Sequence, residues 1–521
     1  MKKNSFLRGA GLLAASVVIA KIMGAVYRIP LTNIIGANGM GIYQFIYPVF
    51  GLILTLSSGA MPTAVSIIIS QSVAKGDTST ARKDFAVTFK VCILIGLLGT
   101  ILLALLAYPL SLIQSKSAFF GYLAIAPAVF IVTIISALRG WFIGHKNMLP
   151  YSISQISEGI VKLAVGILLT YLLLPYGVEF AVVGALLGVG ASELVTLIIL
   201  LITYAKQHKS LEKVAIRDNL DGVKKLRHLI IPLVLGGIIL PLSQFIDSIM
   251  FVNLLKLGGK AQGVAVAQYG VYSGTVTPLI NLPVMVCITL GIAITPQIVE
   301  GKVKRSVDFI MDKVNTATKL IFALCVPFIL IFIFLGDTII SVLYRNLGAA
   351  NIALGGKMLS ISAITILALS IFQIYSAMLQ GLDKIYVPLK IMAVCVAIKI
   401  VLSIVLIPLI GMAGAAISAS LSFSLAAVII MIYFFNYVKV VDNLAKNTSL
   451  ITLCGVIMSL IIVVNIRLQK NAIALILTAA ISVAVYFVFL LILHVFSQEE
   501  LQSMPFGKAL SRLDTFFHGR K

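Results

Sequence analysis

Stretch after stretch of this chain runs for more than 20 residues with no charged side chain; residues 91–115 and 472–493 are two of the clearest. About 20 consecutive apolar residues let a helix cross the hydrocarbon core of a bilayer, with every backbone group bonded internally. Across 521 residues, 60% are hydrophobic and only 11% are charged, whereas soluble domains carry about 25% charged residues. The pattern excludes an ordinary soluble enzyme, a disordered chain and a disulfide scaffold. It predicts an all-α polytopic membrane protein with 14 transmembrane helices.

The balance of 40 Lys+Arg against 18 Asp+Glu would suggest nucleic acid if the bases shared one soluble face. They lie instead in short loops between apolar runs, which is the pattern that orients a membrane protein. The longest such loop, 205–227, holds Lys206, Lys209, Lys213, Arg217, Lys224, Lys225 and Arg227. This bias predicts a cell-membrane protein with both termini in the cytoplasm. It predicts no nucleic-acid partner.

Lys2, Lys3 and Arg8 before Gly9–Ala20 imitate a signal peptide, but the apolar pattern continues to Pro30 and reads as an uncleaved first span. The five cysteines stand singly inside apolar runs and read as small core hydrophobes. No metal-ligand spacing and no phosphate-binding loop occur, so neither metal, cofactor nor ATP hydrolysis is expected.

The first twelve spans divide into related sets of six. Pro48 and Pro283, and Pro62 and Pro296, stand 235 and 234 residues apart; Gly144 and Gly381, and Lys162 and Lys399, are both 237 apart. Six-span repeats insert the same way round and commonly enclose a cavity that opens to either side in turn. The predicted organisation is therefore two pseudo-symmetric six-helix bundles, 1–204 and 228–437. A basic cytoplasmic linker (205–227) joins them, and an appended helix pair (450–496) and a cytoplasmic tail (497–521) follow. Prolines and glycines interrupt spans 1, 2, 7 and 8, and Gly24, Pro30 and Pro241 are read as hinges.

Charges at membrane depth cost about 2.5–3.5 kcal/mol each on insertion scales, so they mark function by default. Lys21 and Arg28 lie seven residues apart, on one face of span 1, with no acid on that helix. A phosphate or pyrophosphate would neutralise them. Lys90, Arg139 and Lys390 lie near span ends, where they can snorkel; Arg139 also counts with the substrate-facing bases. Glu158 and Lys162, spaced i,i+4, are expected to pair, with Glu193 a partner across the helix pair. Asp247 and Lys399 form a second expected ion pair.

The run Lys21-Ile22-Met23-Gly24-Ala25-Val26-Tyr27-Arg28-Ile29-Pro30 precedes Gly36-Ala37-Asn38-Gly39-Met40-Gly41-Ile42-Tyr43-Gln44. With Ser58-Gly59-Ala60-Met61-Pro62-Thr63-Ala64 and Ala74-Lys75-Gly76-Asp77, these runs resemble the stage V sporulation protein B group of bacterial flippases. That group belongs to the multidrug/oligosaccharidyl-lipid/polysaccharide (MOP) exporter superfamily and is related to the lipid II flippases. The resemblance implies alternating-access transfer of an undecaprenyl-diphosphate-linked sugar from the inner to the outer leaflet. Lys21 matches a basic residue that contacts the pyrophosphate, whereas Tyr27 stands where a second arginine is usual and span 2 lacks a third. Asp247 matches an acid of a sodium site in some relatives. The other two places of that site are Lys399 and Ser403, so the Lys399 ammonium is read as replacing the cation. A lipid-linked oligosaccharide and membrane lipids are the expected partners, with cell-wall polymerases as further candidates and a monomer as the expected state. The alternative is a cation-coupled multidrug exporter of the same superfamily.

Overall fold

The computed structural model describes residues 2–208, 220–438, 444–465 and 472–503. Residues 209–219 of the linker and 504–521 of the tail lie outside the described residues. Among those described, all regular structure is helical. The chain falls into two compact units, Met1–Gly274 and Thr275–Lys521.

The first unit holds α1 (Lys2–Ser57), α2 (Met61–Ala74), α3 (Thr78–Ile113), α4 (Phe119–Gly144), α5 (Leu149–Leu173) and α6 (Val178–His208). It continues through α7 (Leu220–Gly237), α8 (Ile239–Leu257) and α9 (Gln262–Val271). The second unit comprises α10 (Thr277–Lys304), α11 (Val307–Leu343), α12 (Ala349–Ser362), α13 (Ile364–Gly381), α14 (Tyr386–Ile410), α15 (Met412–Val438), α16 (Leu444–Asn465), α17 (Ala472–Ile492) and the short α18 (Gln498–Ser503). Thirteen of the described helical stretches are long and apolar enough to span a membrane. One of them, Ala15–Ala74, has 60 residues. At 1.5 Å per residue it would measure about 90 Å against a core of about 30 Å, so it supplies two crossings.

The break between those crossings is Gly36, at φ 67° and ψ −172°, a backbone conformation that a side chain would strain. Pro30 does not interrupt α1, and Gly24 is helical. Pro241 has a clearer effect. Its ring excludes the carbonyl four residues earlier, and that residue, Gly237, is where α7 ends.

Glycines set the closest crossings. A Cβ at Gly188 of α6 would stand 2.2 Å from the Cα of Gly166 on α5, and one at Gly184 would stand 2.5 Å from the Leu169 carbonyl oxygen. Small residues permit such approach where no hydrophobic force separates helix from lipid. In the second unit, Gly414 of α15 meets Leu406 of α14 in the same manner, with 2.6 Å to its carbonyl. Residues 228–274, which the sequence reading gives to the second bundle, fall within the first compact unit. Gly270 of α9 meets the Ala37 carbonyl of α1, and Gly41 of α1 meets the Val266 carbonyl of α9. The appended α16 and α17 pack on α11, and α18 is tied there by Lys319 and Glu500 at 3.1 Å.

In the apolar core of the first unit, Val65, Ile69, Phe85, Trp141, Phe142 and Leu200 join α2, α3, α4 and α6, with the Phe85 and Trp141 rings 4.7 Å apart. All five cysteines are free thiols inside the protein. Cys287 and Cys325 face one another across α10 and α11 with sulfurs 3.8 Å apart.

Candidate functional site

The ionisable groups of the first unit gather around α1, α4, α5 and α6. Lys21 and Arg28 stand two turns apart on one face of α1, separated by about 10 Å along its axis. Lys21 is exposed, and Arg28 is half-buried. Among the described residues, no carboxylate lies within ion-pair distance of either.

Tyr43 and Tyr47, one turn apart on α1, stack with ring centroids 5.4 Å apart. The Arg28 guanidinium lies 5.9 Å from the centre of the Tyr47 ring. From α5, Lys162 approaches the same ring at 5.2 Å and the Tyr27 ring at 5.5 Å. Its ammonium also donates to the Tyr47 hydroxyl at 3.4 Å. Two cations from two helices thus converge on one aromatic face, an attraction worth about 2 kcal/mol where water is excluded. Tyr27 is itself fixed, donating to the Ala185 carbonyl at 3.5 Å.

A second cluster borders the first. Arg139 of α4 donates through Nη2 to Glu158 Oε2 at 2.9 Å and through Nε to Ser154 at 3.3 Å. Its guanidinium lies 5.0 Å from the centre of the Tyr151 ring. Glu193 of α6 is buried as well, only 8% exposed.

This arrangement corrects two sequence expectations. Glu158 pairs with Arg139, not with Lys162, because the guanidinium fork satisfies the carboxylate and Ser154 together while the tyrosines hold the ammonium. Arg139 is consequently neutralised within the protein and is not an open phosphate ligand. Lys162 takes its place among the uncompensated bases.

Asp247 lies on α8 of the first unit, beside Tyr269. Lys399 is buried on α14 of the second unit, one turn from Ser403, whose hydroxyl meets Ser418 at 2.7 Å. The tyrosines were not singled out from sequence. Their signal was the Tyr43–Tyr47 spacing, which places both rings on one side of a helix. No three His, Cys, Asp or Glu residues come together among the described residues, so no group suited to holding a metal ion is present there.

A family model described as "Polysaccharide biosynthesis protein" matches residues 6–302, more than half of the chain. The chain belongs to that family. A second model, MatE, matches residues 232–405 of this polysaccharide biosynthesis family member. Stage V sporulation protein B of Bacillus subtilis (strain 168) is 26% identical over 97% of this chain and 98% of the relative. Lipid II flippase MurJ of the same organism is 26% identical over 81% and 80%. Among solved structures, lipid II flippase MurJ in an inward closed conformation aligns with a TM-score of 0.66 at 16% identity, covering 93% of this chain and 98% of that one. An inward-facing multidrug resistance MATE family transporter aligns with a TM-score of 0.67 at 15% identity, covering 83% and 98%. The family member is thus a multi-pass membrane protein of the MOP superfamily, with the fold of its transporters and flippases.

Proposed function

We propose that this protein is a flippase that moves an undecaprenyl-diphosphate-linked sugar, of the lipid II or polysaccharide-unit type, from the inner to the outer leaflet by alternating access. The observation that carries the reading is the set of bases on α1 and α5. Lys21, Arg28 and Lys162 have no ion-pairing carboxylate among the described residues. Three such charges at membrane depth are costly when alone, and a diphosphate offsets that cost with two negative groups that accept from Arg and Lys alike. The similarity to lipid II flippase MurJ over 81% of the chain supports a lipid-linked cargo.

In this reading Lys21, Arg28 and Lys162 hold the diphosphate. The polyprenyl tail stays in lipid, along α16 and α17. Gly24, Pro30 and Pro241 act as hinges. The protein works as a monomer in the bacterial cell membrane, with both termini in the cytoplasm and cell-wall polymerases as candidate partners. An inside-negative potential favours outward movement of the anion by about 2.3 kcal/mol per elementary charge per 100 mV.

The MatE match over 232–405 favours a second reading, a cation-coupled multidrug exporter. The two separate on charge, since a cationic α1 attracts a diphosphate and offers no acid to a coupling cation. The test is flipping of lipid II by the reconstituted protein, with wild type beside Lys21→Glu. Flipping by wild type that is abolished in Lys21→Glu supports the proposal. Equal flipping by both, or drug efflux with no flipping, overturns it.

A further inference from the structure

Arg28 and Tyr47 stand 19 residues apart on α1, about 28 Å on a straight helix, yet the guanidinium lies 5.9 Å from the centre of the ring. The two crossings of α1 therefore fold back on one another at Gly36. That break is level with the start of α6, since a Cβ at Gly39 would stand 2.7 Å from Val178. Counted from that level along their helices, Arg28, Tyr47 and Lys162 lie about 12–18 Å deep, near the middle of a core about 30 Å thick. All three are half-buried.

The Tyr47 ring is held on its own helix by Tyr43 at 5.4 Å and Phe50 at 6.1 Å between ring centroids, so its hydroxyl has a fixed place. An ammonium has three protons to donate and no acceptor. Because Lys162 donates to the Tyr47 oxygen at 3.4 Å, the phenol's own proton points elsewhere. Other tyrosines of this unit show what receives such a proton. Tyr27 donates to the Ala185 carbonyl at 3.5 Å, Tyr122 to the Phe45 carbonyl at 3.0 Å, and Tyr269 to the Gln44 carbonyl at 3.0 Å. For Tyr47, no acceptor stands within hydrogen-bond distance among the described residues. A donor flanked by two positive charges favours an acceptor that is negative.

We infer that Tyr47 is itself a ligand of the diphosphate, donating its phenol proton to a phosphate oxygen while its ring places Arg28 and Lys162 for the same group. The inference rests on the flippase reading and adds a neutral, directional donor to the two charges. Charge alone attracts any anion, whereas a donor fixed in direction selects an oxyanion that presents an acceptor there. A chain then runs from the Lys162 ammonium to the phenol to the phosphate, with no proton transferred, and each bond polarises and strengthens the next.

The test compares wild type, Tyr47→Phe and a protein with O-methyltyrosine at position 47, each full-length in detergent. The probes are undecaprenyl diphosphate and the uncharged alcohol undecaprenol, and affinity is measured by calorimetry. Phenylalanine keeps the ring that Arg28 and Lys162 approach. O-methyltyrosine also keeps the oxygen that accepts from Lys162 and lacks only the proton. Both should bind the diphosphate about 10–100-fold more weakly than wild type, the loss expected for one hydrogen bond to a charged group. All three should bind undecaprenol alike. Wild-type affinity for the diphosphate in either altered protein overturns the inference, because the ring then serves only as a support for the cations. An equal loss for undecaprenol overturns it too, since the change then lies in tail contacts or in the fold. If wild type itself prefers the diphosphate no more than the alcohol, the flippase reading fails and the inference falls with it. If wild type shows the preference and the altered proteins keep it in full, the Tyr47 assignment alone fails. Should Tyr47→Phe not fold, the O-methyltyrosine protein decides.

Discussion

Where α4, α5 and α6 meet in the first unit, charged groups stand among the buried hydroxyls: Arg139, Glu158 and Glu193, with Lys162 one turn further along. Carried across the 237-residue offset, Arg139 becomes Ser376, Glu158 becomes Cys395, and Lys162 becomes Lys399. Ser376 is satisfied by the Phe372 carbonyl at 2.6 Å, and Cys395 is a buried thiol. Among the helices of that region hydroxyls pair with one another, Ser403 of α14 with Ser418 of α15 at 2.7 Å and Thr365 of α13 with Ser420 of α15 at 3.1 Å. The places 237 residues on from the arginine–glutamate pair thus carry two neutral groups. Energetics explain why both members change together. Removing one partner of a buried ion pair strands a charge, while removing both leaves nothing unsatisfied.

The sharpest way to break the comparison is to move the first unit toward the second. Arg139→Ser alone should cost about 3–5 kcal/mol, because Glu158 is left without its cation. Arg139→Ser combined with Glu158→Cys should recover most of that loss. Thermal unfolding of the four proteins in detergent checks this, and additive losses would refute the pairing. Gly188→Leu should cost about 1–3 kcal/mol by forcing α5 from α6 at the Gly166 crossing. Ser403→Ala in the second unit should cost about 1 kcal/mol, a neutral hydrogen bond lost beside Ser418, measured by the same unfolding.

The smallest effect sets the two units' helix caps against one another. Asp77 caps α3 by accepting from the Thr80 amide at 2.8 Å and its hydroxyl at 2.6 Å, whereas Ser306 caps α11 by accepting from the Phe309 amide at 3.3 Å. The Thr80 hydroxyl, then its amide, hold the Asp77 carboxyl below the usual carboxylate range. A lowered folded value means that the stabilisation is present above the unfolded value and is lost as pH falls through the folded one. Acidification should therefore speed hydrogen exchange at the Thr80 amide beyond the intrinsic pH trend and leave Phe309 on that trend.

Hydropathy carried most of the fold into view, because a backbone in lipid has few alternatives to the helix. The break at Gly36 was not legible. Glycines are frequent in this chain, 40 in all, and only the folded backbone shows which of them take a positive φ. Lys21 and Arg28 were readable as a cationic face because both lie on one helix. The partner of Glu158 was not. Its i,i+4 lysine was the nearest candidate in sequence, but Arg139 reaches it from another helix, and Tyr47 competes for the lysine. Contacts within a helix follow from spacing, whereas contacts between helices depend on crossings set by residues such as Gly166 and Gly188.

The burial of all five thiols has a practical consequence. Aqueous maleimide should find almost nothing to modify on the native chain. One cysteine introduced near residue 3, or into the loop after α6, then reports without background which face of the membrane it occupies.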